Sequence, residues 1–351
     1  MTKTALLLLL VLCAAGTALL HGCAGQPQYK GPTSPHFDGV HFRNSVPADK
    51  SLLDIARFIS TYPFRRETWP TEVENASFAP PPQITEGIAL TYINHSSVLL
   101  QVDGVNVLTD PIWSERASPF SFAGPKRVRA PGLALDTLPP IDVILVSHNH
   151  YDHLDIDSLR ALQSRGRNGP PLILTGLGNG PLLQKHGLDH FRLLDWWDSV
   201  EINGVTFTFT EVRHRSGRGL ADQMKTLWGG FAVRSQSGQI YFAGDTGYGP
   251  HFRQTRERFG AFDLALIPIG AYRPRDFMGP LHLDPDDAVK AHRDLASQQS
   301  VAIHHGTFQL TYEGIEEPYQ RLQAGLEKAA IPASAFRVLG FGESLTLSSA
   351  K

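Results

Sequence analysis

Along the chain, the spacing of apolar positions changes from helical to strand-like near residue 88 and becomes helical again towards the C-terminus. Leu52, Leu53, Ile55, Ala56 and Ile59 stand three and four apart, which predicts a short amphipathic helix over residues 50–59. Pro80-Pro81-Pro82 then marks an extended linker. Residues 89–92, 98–102 and 105–108 read as strands, the last two joined at the hairpin signal Asp103-Gly104. The runs 142–146, 172–175 and 264–269 are short, apolar and rich in β-branched or aliphatic residues, as buried strands are. Asn203-Gly204 joins two further strands, the second being 205–210, and the strands 231–234 and 239–242 flank Ser237-Gly238. Residues 181–186 read as a short helix. Asp284-Pro285 caps and opens a helix to about residue 295, and residues 319–330 read as another. Hairpins with interspersed helices and no internal repeat predict an α/β protein, with stacked sheets covered by helices on their outer faces.

Composition narrows the function classes. The chain has 351 residues, 42% of them hydrophobic, enough to bury a core of one large domain or two ordinary ones. Its 32 basic residues face 34 acidic ones, which argues against nucleic-acid binding driven by bulk charge. Both cysteines, Cys13 and Cys23, lie near the N-terminus, so no disulfide staples the body of the fold. Lys3 and the apolar run of residues 5–20 have the form of a targeting segment, shorter than the roughly 20 residues of a spanning helix. The run ends in Leu20-His21-Gly22-Cys23-Ala24, which resembles a bacterial lipoprotein signal. That resemblance implies removal of residues 1–22 and lipidation of Cys23; an ordinary signal peptide or an uncleaved anchor are the alternatives. It also implies the bacterial cell envelope, and Ala24, not being acidic, favours the outer membrane facing the periplasm. Residues 24–34 are rich in Gly, Pro, Gln and Ser and read as a flexible tether. Residues 23–87 are thus expected to be a tether and extension, and residues 88–351 the main domain.

The strongest chemical signal is Ser147-His148-Asn149-His150-Tyr151-Asp152-His153, placed directly after a buried strand. Three imidazoles and a carboxylate in six positions are the ligand types zinc takes in hydrolytic sites. So short a segment cannot complete two tetrahedral sites, and further ligands must come from elsewhere. His214, Asp245 and His304 (or its neighbour His305) stand at similar strand-end positions.

The pattern His-x-His-x-Asp-His followed by a distant His, Asp and His resembles the metallo-β-lactamase superfamily. The resemblance implies a four-layer αββα sandwich with two divalent metal ions, zinc by ligand type, at one sheet edge. It implies His148, His150 and His214 on one ion, Asp152, His153 and His304 on the other, and Asp245 bridging. His304 fits the family's His-x-Gly-Thr-Phe, here His304-His305-Gly306-Thr307-Phe308, better than His305 does. Flanking motifs are more specific. Leu108-Thr109-Asp110-Pro111, Arg116-Ala117-Ser118-Pro119, Gly124-Pro125-Lys126-Arg127, Leu194-Asp195-Trp196-Trp197 and Ile267-Pro268-Ile269-Gly270-Ala271-Tyr272 resemble the N-acylphosphatidylethanolamine-hydrolysing phospholipases D and their bacterial relatives. Arg215 stands where that family leads one to expect an aromatic residue.

These readings lead to a two-metal phosphodiesterase acting on a membrane phospholipid. Two adjacent divalent ions suit displacement at phosphorus. Asp152, Asp245 and His282 are the expected catalytic residues, with His282 lining the cleft to hold a phosphate or protonate the leaving group. Lys126, Arg127 and Arg129, together with His282, are expected to meet an anionic substrate. Asp155 and Asp195 are candidates to accept the second N–H of a ligating imidazole. Trp196-Trp197 is expected to pack in the core rather than touch substrate. A lactonase or amidase on the same scaffold and an envelope lipoprotein with a structural metal site are the competing functions. β-Lactamases that use a Cys ligand are excluded, because no Cys follows Cys23.

Overall fold

The computed structural model describes residues 29–48 and 50–347. The first sheet is built from β1 (Ile88–Asn94), β2 (Ser97–Val102), β3 (Val105–Thr109), β4 (Val143–Val146), β5 (Leu172–Gly176) and β6 (Phe191–Leu194), in that spatial order. The second runs in order from β7 (Ser199–Ile202) through β8 (Val205–Thr210), β9 (Gly230–Ser235), β10 (Gly238–Phe242), β11 (Leu264–Pro268) and β12 (Gln299–Ile303) to β13 (Phe336–Arg337). The chain then returns to the first sheet, where β14 (Ser344–Leu347) pairs with β1. Each sheet is antiparallel where hairpins connect it and parallel where longer connections cross over, at β3 to β6 and β10 to β13. The hairpin signals hold: Asp103-Gly104 and Asn203-Gly204 both have positive φ at their two residues, the backbone twist a tight hairpin needs.

Alternation along the central strands explains why they read as continuous apolar runs. Leu100, Leu145 and Leu266 point between the sheets and pack with Phe207, Phe209 and Phe231. Their neighbours Leu99 and Ile144 point outwards beneath α2 (Ile156–Leu162) and α3 (Gly180–Lys185). On the opposite outer face Ile267 packs with Leu283, Ala288, Leu322 and Leu326, which belong to or adjoin α6 (Pro285–Asp294) and α7 (Glu317–Lys328). Strands buried on both faces have no polar side to alternate with. The result is the expected αββα sandwich. Between β10 and α6 lie α4 (His251–Phe259) and the short α5 (Arg275–Met278).

The N-terminal segment does more than tether. Phe37 and Phe42 are buried between the sheets, with Tyr29 packed against them. The helix expected over 50–59 is α1, Leu52–Arg65, opened by a capping box between Ser51 and Asp54. It runs past Ser60, Thr61 and Pro63 because Phe58 and Tyr62 pack on Tyr312, and the Thr61 hydroxyl donates back to the Arg57 carbonyl. No described helix is long and apolar enough to cross a membrane. Cys13, Cys23 and the whole leader lie outside the described residues.

Candidate metal centre

Four strands deliver side chains to one edge of the sandwich. β4 ends at Val146 just before His148, β8 at Thr210 before His214, β10 at Phe242 before Asp245, and β12 at Ile303 before His304. His148 Nε2 lies 2.8 Å from His150 Nδ1, which lies 3.4 Å from His214 Nε2. A second group forms around Asp152, whose Oδ2 is 3.5 Å from His153 Nε2 and 3.4 Å from His304 Nε2. Asp245 stands between the groups. Its Oδ2 is 3.2 Å from both His153 Nε2 and His304 Nε2, and 3.7 Å from His214 Nε2. All seven ligand candidates from the sequence therefore meet, and they fall into the two expected sets with Asp245 common to both.

The buried atoms of this cluster ask for a cation. His153 Nε2, His304 Nε2 and Asp245 Oδ1 are buried without a hydrogen-bond partner, a costly condition for any polar atom. Burial pushes the His148 and His214 imidazoles well below their ordinary range and His150 down to about 4, so these rings present neutral lone pairs. Burial alone would lift Asp152 and Asp245, but the surrounding imidazoles, His153 first, bring both well below it. Burial would lower His153 and His304 too, but the carboxylates beside them, Asp245 first, raise His153 well above the ordinary range and His304 to about 9, so these two rings hold protons that a bound metal ion would displace.

Groups behind the cluster orient the rings. The His153 Nδ1–H donates to Asp110 Oδ2 at 2.6 Å, and Asp110 also accepts from the Ser147 N–H and hydroxyl at 2.7 and 2.6 Å. This contact selects the tautomer that turns Nε2 towards Asp245. His214 Nδ1–H donates to the Leu281 carbonyl at 2.9 Å. Its backbone is clamped by one amide, for Asn44 Oδ1 accepts from the His214 N–H and Asn44 Nδ2 donates to the His214 carbonyl. His95 Nε2 stands 3.1 Å from Asp152 Oδ2. Gly270 lets the His304 backbone approach, since a Cβ there would sit 2.1 Å from the His304 carbonyl oxygen. We expect Asp110→Asn to weaken metal binding about 10–100-fold, measured by chelator competition. We expect Asn44→Ala to do the same to one ion of two, read as a split in stepwise metal titration; equal loss of both ions would contradict the clamp.

Several sequence expectations need correction. Asp155 accepts hydrogen bonds from Ser114 and Ser158, and Asp195 pairs with His36, so neither supports a clustered imidazole; Asp110 and the Leu281 carbonyl do that work. Lys126 pairs with Glu115 in an exposed salt bridge. Arg127 donates to the carbonyls of Ser114, Ile112 and Arg129, and Arg129 donates to that of Glu74 while lying over Phe341. The two arginines pin loops together through backbone oxygens, and Lys126 is held by the Glu115 carboxylate; these contacts run within the loops rather than into the cluster. His305 turns away from the cluster to stack on Tyr92, with Nδ1 3.0 Å from the Tyr319 hydroxyl. His282 does reach the site, its Nδ1 3.8 Å from Asp245 Oδ2. Burial depresses that imidazole to about 3, so it is neutral and offers a hydrogen bond rather than a proton of ordinary acidity. Trp196 is buried, with its indole N–H donating to the Trp228 carbonyl. Sequence reasoning missed the supporting roles of Asp110, His95 and Asn44, although Asp110 lies within the quoted Leu108–Pro111 motif.

Two stacked sheets with this His/Asp cluster at one edge define a metal-dependent hydrolase. The chain belongs to the β-lactamase superfamily: the sequence model of the Beta-lactamase superfamily domain matches residues 105–305. An uncharacterized protein of Mycobacterium bovis is 36% identical, over 93% of this chain and 92% of its own length. N-acyl-phosphatidylethanolamine-hydrolyzing phospholipase D 1 of Caenorhabditis elegans is also 36% identical, covering 85% of this chain and 83% of that protein. Among solved structures, an isothiocyanate hydrolase from Delia radicum gut bacteria superposes with a TM-score of 0.59 at 22% identity, over 74% of this chain and 99% of that one. That likeness concerns the fold.

Proposed function

We propose that the protein hydrolyses a phosphodiester of a membrane phospholipid in the manner of a phospholipase D, with an N-acylated phosphatidylethanolamine as the model substrate. The observation that carries this reading is the shared carboxylate. Asp245 Oδ2 lies within 3.2–3.7 Å of imidazoles from both groups, which suits two ions held side by side. His148, His150 and His214 would hold one ion and Asp152, His153 and His304 the other, with Asp245 on both. Zinc fits these ligands. Such a pair supplies a nucleophile from water near neutral pH and positive charge for an attacked phosphoryl group. The neutral His282 borders the same space and would donate to a phosphoryl oxygen. The similarity to the nematode phospholipase supports the substrate class.

The surface of α1 agrees with a lipid interface. Its inner face packs on the body, while Leu53, Ile59 and Phe64 are 77%, 66% and 87% exposed beside Arg57, Arg65 and Arg66. Exposed apolar side chains interspersed with arginines on one helix suit contact with a membrane–water interface. Lipidation of Cys23, at the outer membrane facing the periplasm, would add the second attachment. The test is a screen of zinc-loaded protein on phospholipid vesicles, simple lactones and β-lactams. Release of phosphatidic acid as the fastest reaction is expected; faster turnover of a lactone or β-lactam replaces this reading with a carbonyl hydrolase. For the anchor, the intact mass of the membrane fraction should show added acyl mass and loss of Met1 to Gly22, and a Cys23→Ala form should leave the membrane in high salt.

A further inference from the structure

Three of the ligand candidates, His150, Asp152 and His153, lie within one tight turn of the chain. The His150 carbonyl accepts from the N–H groups of His153 and Leu154 at 3.2 and 2.9 Å. The carbonyls at the two ends of this turn, those of Asn149 and Leu154, share a donor from elsewhere. Both accept from one nitrogen, Arg218 Nη1, at 3.0 and 2.8 Å. The guanidinium carbon also lies 3.7 Å from the centre of the Tyr151 ring, in the middle of the same turn. Beside it the Gly217 N–H donates to Asn149 Oδ1 at 2.7 Å. Arg218 thus grips the ligand turn at its beginning, middle and end.

The grip comes from a loop that is itself tied down. Arg218 stands four positions after His214, on the loop that follows β8. The Asp222 carboxylate accepts from the N–H groups of Arg218 and Gly219 at 2.9 and 2.8 Å. The Ser216 hydroxyl donates to the Thr226 carbonyl at 2.6 Å, and the Met224 N–H to the Ser216 carbonyl at 3.0 Å. Asn149 and Leu154 are buried, and a buried carbonyl that loses its donor is costly. A turn without Arg218 would therefore rearrange to find other donors, and the side chains it carries would change their aim. Ligands to a metal tolerate little of this, since productive geometry is held to about 0.5 Å. The other supports each act on a single ring, Asp110 on His153 and the Leu281 carbonyl on His214. Arg218 spans candidates from both ligand groups.

We propose that Arg218 is a positioning residue for the metal centre, clasping the turn of His150, Asp152 and His153 so that the ligands of both ions keep their aim. The proposal rests on the two-ion reading of the cluster and holds whichever bond the centre cleaves. It differs from the Asn44 clamp, which acts on the ion of His214 alone. Linkage adds a consequence. If the clasp strengthens metal binding, bound metal strengthens the clasp by the same factor. The loop after β8 is then fastened to the ligand turn more firmly in the metal-loaded protein than in the stripped one.

The test titrates the metal-stripped full chain with zinc against a competing chelator. In Arg218→Gln both stepwise affinities should fall about 10–100-fold, the usual cost of losing a group that orients metal ligands. Arg218→Lys keeps the charge and can donate to both carbonyls but lacks the flat face that lies on Tyr151, and it should recover part of the loss. Amide hydrogen exchange gives a second readout that needs no variant. The Gly217 N–H of the parent should exchange more slowly with zinc bound than without. Affinities in Arg218→Gln within about twofold of the parent, a loss confined to one ion, or no recovery by lysine overturns the proposal. So does Gly217 exchange that is the same with and without zinc, which decides the matter even if Arg218→Gln fails to fold. A parent that binds neither ion overturns the metal centre and the clasp together. Hydrolysis enters none of these measurements, so failure of the phospholipase reading on vesicles is a separate result.

Discussion

Replacing Asp245 with Asn should lower turnover by about 10³-fold or more and release both metal ions on dialysis. Loss of several kcal/mol of charge stabilisation at a metal centre corresponds to that factor. The substitution keeps the shape of the side chain and removes its charge, and one oxygen of that side chain serves both ligand groups. Oδ2 lies 3.2 Å from His153 Nε2 and His304 Nε2 and 3.7 Å from His214 Nε2. A residue serving one group alone would cost one ion; Asp152→Asn is therefore expected to leave the ion of His148, His150 and His214 in place. Elemental analysis of both variants beside kcat distinguishes the cases. If Asp245→Asn keeps two ions and activity within about tenfold of the parent, the shared carboxylate lies elsewhere.

The parts of this centre that the sequence showed are those that follow from strand ends. A buried apolar run stops, and a residue with metal-binding chemistry follows within one or two positions: Val146 then, after Ser147, His148, and Ile303 then His304. Such positions are local, so spacing alone exposes them. The hairpins at Asp103-Gly104 and Asn203-Gly204 were legible for the same reason, because backbone geometry at a tight turn demands particular residues. What was hidden is non-local. Asn44 clamps His214 across 170 positions, and Asp110 orients His153 across 43. Nothing in the neighbourhood of Asn44 announces a partner so far along the chain. In the Lys126–Arg129 loop, charge density does not reveal where guanidinium N–H groups point. Arg127 uses its donors on the carbonyls of Ser114, Ile112 and Arg129. The early stop assigned to α1 has a similar cause, since the stack of Phe58 on Phe277 and Tyr312 is made with residues more than two hundred positions away.

Acid should destabilise the protein through a histidine outside the metal ligands. His251 opens α4 and is buried, with Nε2 3.1 Å from the Thr246 hydroxyl. Burial first, and then the Arg213 charge, depress its imidazole to about 3. Its folded pKa thus lies below the unfolded value near 6.5. The unfolded chain takes up a proton that the folded chain refuses, so stability is intact above about pH 6.5 and falls as pH drops towards about 3. At pH 5 this single group costs about 2 kcal/mol. His292, which burial also depresses, contributes with the same sign. Metal release in acid acts in the same direction, so the total slope cannot identify His251. A paired measurement can. Urea unfolding of the parent and of His251→Gln, both stripped of metal, should show a difference in stability that narrows by about 2 kcal/mol between pH 7 and pH 5. A difference that stays constant over that range would mean that His251 titrates alike in both states, and that the space behind Thr246 admits water.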